Sequence, residues 1–186
     1  MPRSEPTPPN PLDDLSAARD EARAAARRVA LAAGAQIIDR PVFPGAQATV
    51  RDLEPLAGAR AARKIEAGAR ATAVGYIRDA REAGHGWDQI GHALGMTPGG
   101  GDASQQAATA ADAAYTCAVG RPETEAPWRP RIFTWTCRSC DQPISDRGQA
   151  AGPADDELGH VGTCPRLDAA IAEQNARLDD DREAGQ

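Results

Sequence analysis

Cys137-Arg138-Ser139-Cys140 and, about twenty residues further on, His160-Val161-Gly162-Thr163-Cys164 decide how the last third of this chain folds. The pattern is C-x2-C, a spacer, then H-x3-C, a spacing that structural zinc sites use. Two thiolates two residues apart can enter one tetrahedral corner from a tight turn. A His and a Cys about one helical turn apart can close the other half. The segment around them has too few large apolar side chains to fold without such a centre. Cys137, Cys140, His160 and Cys164 are therefore the expected metal ligands, with Zn2+ as the cofactor.

Working outward, Ile132 to Thr136 has the alternation and residue types of a strand, and a second strand is expected near Ile144 to Gln149. Residues 150–156 read as a loop. A last helix begins at about Pro165, which suits a first helical position, and fades at Asp179-Asp180-Asp181. Strand, knuckle, hairpin and helix in this order resemble treble-clef and related short zinc modules. A helix start also favours a thiolate at Cys164. Four protein ligands leave no open position for water or substrate, so the expected role is structural. A deaminase would need H-x-E, which no His here provides. A thioredoxin-like pair would need a helix after C-x2-C, and Asp141-Gln142-Pro143 opposes one. Cys117, outside the set, reads as a small buried side chain on a helix.

Upstream the chain reads as helical. Residues 1–11, with five prolines, read as disordered. A first long helix follows, with Leu15, Ala18, Ala22, Ala25, Val29 and Ala32 as a narrow apolar seam. The connector holding Ile37, Ile38, Val42 and Phe43 is expected to pack onto the helices. A second helix starts near Asp52 as N-cap and runs to about Ala83, with Gly84 as its stop. The two helices are expected to form a long antiparallel hairpin.

The stretch Ile77 to Thr97 is the second informative feature. It resembles the front half of helix-turn-helix units in sigma-factor-like and resolvase-like proteins. Trp87, Ile90 and Leu94 would form one apolar face. Gly91 would allow a close helix crossing, Gly95 would make the turn, and Met96 would plug the corner. Thr97 would cap the next helix in that family. Here a glycine run delays that helix to about Ala103–Ala118, and no Lys or Arg occurs between Arg81 and Arg121. His85 and His92 read as polar surface.

The expected organisation is thus 1–11 disordered, 12–119 helical with the helix-turn-helix-like segment at 69–118, a linker at 120–130, a zinc module at 131–180 and a polar tail at 181–186. The fold class is mainly α: a long helical hairpin leading into an HTH-like three-helix region, then a zinc-stabilised β-hairpin plus helix. The whole resembles uncharacterised small actinobacterial proteins that pair an HTH-like segment with three Cys and one His near the C-terminus. By analogy that resemblance implies a transcription-linked or mobile-element-linked role.

Composition bounds the function. A net charge of −6 argues against whole-molecule attraction to nucleic acid or anionic membrane. Lys64 is the only lysine; with the Ala, Gly and Asp richness this reads as GC-rich codon usage, so the Arg preference has little functional weight. No apolar run reaches membrane-span length, and no secretory segment is visible, so a cytoplasmic location is expected. No nucleophile–base pair, phosphate loop or open metal site suggests an enzyme or a small-molecule substrate. Two readings remain. One is a DNA-binding regulatory or accessory protein, with Arg70, Arg78, Arg81, Gln105 and Gln106 as contacts. The other is a protein-interaction adaptor or homodimer built on the helical hairpin, with Trp128 and Trp135 as anchors if exposed, the HTH-like segment being only a packing motif.

Overall fold

A computed structural model describes residues 11–97, 99–120 and 131–184. Of the segment expected to be disordered, 1–11, residues 1–10 lie outside the described residues and Pro11 is helical; of the expected linker, 120–130, residues 121–130, with Trp128, lie outside them too. The described chain is mainly helical, with two small antiparallel sheets. It divides into two compact units, 1–71 and 72–186.

In the first unit, helix α1 (Pro11–Ala32) is followed by strands β1 (Ile37–Pro41) and β2 (Thr49–Leu53) and by the start of helix α2 (Pro55–Glu82). The strands pair antiparallel, with Ile37 opposite Leu53 and Pro41 opposite Thr49. Phe43-Pro44-Gly45-Ala46 turns the chain between them. The Ala46 N–H donates to the Phe43 carbonyl at 3.0 Å, and Gly45 has φ +84°. Proline followed by a residue of positive φ is the pattern of a type II turn, which favours glycine at the third position.

The expected long helical hairpin is corrected here. A β-hairpin joins the helices, and their buried meeting point is Ala26, Ala30 and Ala61, with Val29, Ala35, Leu53 and Ile65 around it. The N-terminal half of the α1 seam is exposed among the described residues: Leu15 is 70% exposed, and Ala18 and Ala22 are exposed too. The connector's Val42 and Phe43 stand out from the hairpin rather than packing on the helices, at 59% and 64% exposure. Asp52 lies in β2 instead of capping α2; the Glu54 carboxylate accepts from the Ala57 N–H at 3.3 Å.

The second unit carries the end of α2, α3 (Trp87–Ala93), α4 (Ala103–Val119), β3 (Phe133–Thr136), β4 (Pro143–Asp146), the single turn α5 (Pro153–Asp156), β5 (Glu157–Leu158) and α6 (Pro165–Ala184). The sheet order is β3-β4-β5, antiparallel throughout. The turn α5 falls within the loop expected at residues 150–156, and strand β5 follows directly after it. Helix α6 also runs into the segment read as a polar tail.

Trp87, Ile90 and Gly91 are the buried face of α3; Leu94, expected there, is 41% exposed. Gly91 lies so close to α4 that a Cβ on it would sit 2.1 Å from the Ala110 carbonyl oxygen, and this closeness requires glycine. Gly95, at φ +69°, ends α3, and Met96 packs on the core behind it. Helix α4 is capped by Asp102, whose side chain accepts from the Gln105 N–H at 2.8 Å, and not by Thr97, which pairs with His92 at 3.0 Å.

One buried cluster holds Ile77, Trp87, Ile90, Ala111 and Ala114 together with Phe133, Trp135, Cys137, Ile144 and Cys164. The three helices and the cysteine-bearing hairpin thus share a core. The grouping differs from a division at residues 120–130, because the rings of Trp87 and Phe133 pack edge to face at 5.4 Å across it.

Candidate metal centre

The β3–β4 hairpin turns through the two close cysteines. Cys137 follows β3 directly and accepts at its carbonyl from the Asp141 N–H (2.7 Å), while its own N–H donates to the Gln142 carbonyl (2.9 Å). Asp141 takes φ +54° to complete the turn. His160 comes just after β5. Cys164 precedes α6, and its carbonyl accepts the Asp168 N–H at 3.0 Å, as a helix-capping residue does.

These elements bring all four sequence-predicted ligands together. Their ligand atoms lie within 4.8 Å of one another. Cys137 Sγ is 3.7 Å from Cys164 Sγ, and Cys140 Sγ is 3.5 Å from His160 Nδ1. A tetrahedral ion with metal–sulfur bonds of about 2.3 Å and metal–nitrogen bonds of about 2.05 Å needs edges of about 3.8 Å and about 3.6 Å. The donor set fits: Cys137, Cys140, His160 and Cys164 could hold a metal ion. All the cysteines are free of disulfides.

The two hairpin thiols differ electrostatically. Burial pushes the Cys137 thiol up. Burial also works against the Cys140 thiolate, but hydrogen bonds from His160 and the backbone of Gln142 and Val161 outweigh it and hold that thiol down at about 6.

Behind the ligands lies a buried ionic network that spacing alone does not reveal. His160 Nε2 is 3.2 Å from Glu157 Oε2, and the imidazole side chain is 1% exposed. Both carboxylate oxygens of Glu157 meet guanidinium groups, of Arg81 and of Arg166. Burial pushes the Glu157 carboxyl up; Arg166 and Arg81 more than offset this and hold it below the usual range. Arg81 also donates through Nε to Asp146 Oδ2 (3.0 Å) and through Nη1 to the His85 carbonyl (2.6 Å). Asp146 is satisfied further by the Trp87 indole (3.0 Å), the Trp135 indole (3.0 Å) and the Gly148 N–H (2.9 Å). Two arginines and two carboxylates balance, and the rings of Trp87 and Trp135 flank the Arg81 cation at 5.0 and 5.3 Å. The one sequence signal for Glu157 is its position three residues before His160.

The expected DNA contacts differ in exposure and in the partners they already hold. Arg81 is 3% exposed and fully engaged, so its assignment to a phosphate-gripping surface is corrected. Arg78 is exposed, but its Nε donates to the Thr134 carbonyl at 3.2 Å and its guanidinium lies over Phe133. Arg70 and Gln105 are exposed on α2 and α4. Gln106 is half-buried and donates back to the Gly101 carbonyl at 3.1 Å. Trp135 is buried rather than available as an anchor. His85 and His92 are exposed, paired with Gln89 and Thr97. Cys117 is half-buried on α4 against the core.

No protein-family model, curated protein or solved structure matches this chain. Among the described residues, no helix is long and apolar enough to cross a membrane.

Proposed function

We propose that this chain is a non-enzymatic protein-interaction adaptor whose second unit is a treble-clef-like module stabilised by structural zinc, and whose HTH-like segment is a packing motif. Three thiols and one imidazole whose ligand atoms lie within 4.8 Å of one another suit Zn2+, and four protein ligands leave no position for catalysis. The observation that carries the adaptor reading is the burial of Arg81 between Asp146 and Glu157. DNA affinity comes largely from cations on phosphates, and this burial takes away one of the three cations of the HTH-like segment, Arg70, Arg78 and Arg81. Val42 and Phe43, exposed at the hairpin tip, are the apolar anchors a protein partner would take.

A second reading, a DNA-binding regulator, draws support from the exposure of Arg70, Arg78 and Gln105. Binding of zinc-loaded protein to labelled duplex DNA across a salt series separates the two. Absence of binding at about 50 mM salt supports the adaptor. Affinity that falls steeply with salt and is lost in Arg78→Glu overturns it in favour of the regulator. Metal analysis of natively purified protein, with Cys140→Ser alongside, tests the zinc: about one ion per chain is expected, and none in the variant.

A further inference from the structure

We infer that Glu157 is a positioning residue for the metal: it holds the His160 proton on Nε2, which leaves the Nδ1 lone pair facing the ion, and Arg81 and Arg166 fix Glu157 for that task. The inference rests on reading the Cys3His cluster as a metal centre.

The geometry follows from which nitrogen faces which group. His160 Nδ1 is the atom beside Cys140 Sγ, at 3.5 Å, so it is the nitrogen that would coordinate. A neutral imidazole that ligates through Nδ1 carries its proton on Nε2. That N–H is closed off from solvent, since the His160 side chain is 1% exposed, and it requires a buried acceptor. Glu157 Oε2, at 3.2 Å, is the acceptor. The carboxylate cannot swing away, because Arg166 holds both of its oxygens and Arg81 holds Oε1. Arg81 is in turn fixed by Asp146 at 2.9 Å and by the His85 carbonyl. Arg166 stacks over Trp135 at 4.3 Å, and Trp135 packs edge to face on the His160 ring. The imidazole is therefore held by Glu157 on its Nε2 edge and by the Trp135 ring packed against it. Partners of this kind raise ligand basicity and fix the tautomer of a metal-bound His.

The test compares Co2+ and Zn2+ affinity, by chelator competition, in the native chain, Glu157→Gln, His160→Cys and the double variant. If Glu157 acts through the imidazole, Glu157→Gln weakens metal binding about 10- to 100-fold in the native background. It then has no further effect once His160 is replaced by Cys, a ligand with no second nitrogen to orient. An equal loss in both backgrounds, or no loss in either, overturns the proposal. A measurement on the unaltered protein guards against variants that do not fold: long-range 15N correlation spectra of the zinc-loaded chain report the His160 tautomer. A proton on Nε2 supports the assignment, and a proton on Nδ1 with tightly bound metal overturns it alone. Failure of the native chain to develop cobalt–thiolate absorption defeats the metal centre itself.

Discussion

Arg81, the penultimate residue of α2, places its Nη2 atom 2.9 Å from Asp146 at the end of β4, and both side chains are almost fully buried. This contact joins the helical segment to the hairpin that carries Cys137 and Cys140. Replacing Arg81 by Met leaves Asp146 and Glu157 as buried carboxylates without their shared cation. Breaking a buried pair from one side costs about 3–5 kcal/mol. Urea titration should show a loss in that range. Arg81→Lys should recover little of it, because one ammonium cannot meet Asp146, Glu157 and the His85 carbonyl in the same fork.

Metal removal should not melt the cysteine hairpin alone. Cys137 and Cys164 sit in the same buried cluster as Trp87, Ile90 and Ala114. Chelation, or Cys140→Ser, should therefore abolish the near-ultraviolet circular dichroism of Trp87 and Trp135 in one transition. Structural zinc contributes on the order of 10 kcal/mol of apparent free energy to such folds, more than a core of this size can replace. Retention of the Trp87 signal after metal loss would show two independent cores.

The α3–α4 crossing is set by Gly91. Gly91→Ala should cost about 1–3 kcal/mol or more, since backbone and not a flexible side chain occupies the space its Cβ would need. At Gly75, inside α2, no atom of the described residues beyond its chain neighbours and its own helix backbone lies within 4 Å of where a Cβ would sit. Gly75→Ala should stabilise by up to about 1 kcal/mol, through helix propensity. Thermal melts of the pair should move in opposite directions.

Tyr115 gives an alkaline signature. Burial, with the nearby charges of Asp146 and Asp156, pushes its phenol up to about 12. Its one hydroxyl proton is shared between the carbonyls of Arg131 and Asp146, and a phenolate would have nothing to donate. The folded value lies above the ordinary value of about 10. The stabilisation is therefore fully present below pH of about 10 and is lost as pH rises through about 12. In Tyr76→Phe, where Tyr115 is the remaining tyrosine, absorbance at 295 nm should rise late and together with unfolding. A rise centred near pH 10 with the fold intact would contradict this.

Much of the local structure was legible in residue order. The ligand set was readable because each half of it is local: two cysteines across one hairpin turn, and a His and a Cys ahead of one helix start. The start of α6 at Pro165 and the span of α4 were readable for the same reason, through a favoured first residue and a break in glycine. The β1–β2 hairpin was not, although Pro44-Gly45 is a turn signal. Its strands are five residues each and lack strict alternation, so the helix-forming neighbours dominated the pattern. Strand β5 is two residues long and exists through its pairing with β4.

By itself, then, the sequence determined which side chains can hold a metal and where the main helices run, because ligand spacing and helix periodicity act over a few residues. The tertiary structure alone decided what the cations do. Arg81 and Arg78 read alike along α2, as members of one basic stretch. One is drawn into the core by Asp146 and Glu157, 65 and 76 residues away, and the other stays at the surface. The free energy of a charge depends on the dielectric and the partners around it, and both are supplied by residues distant in the chain.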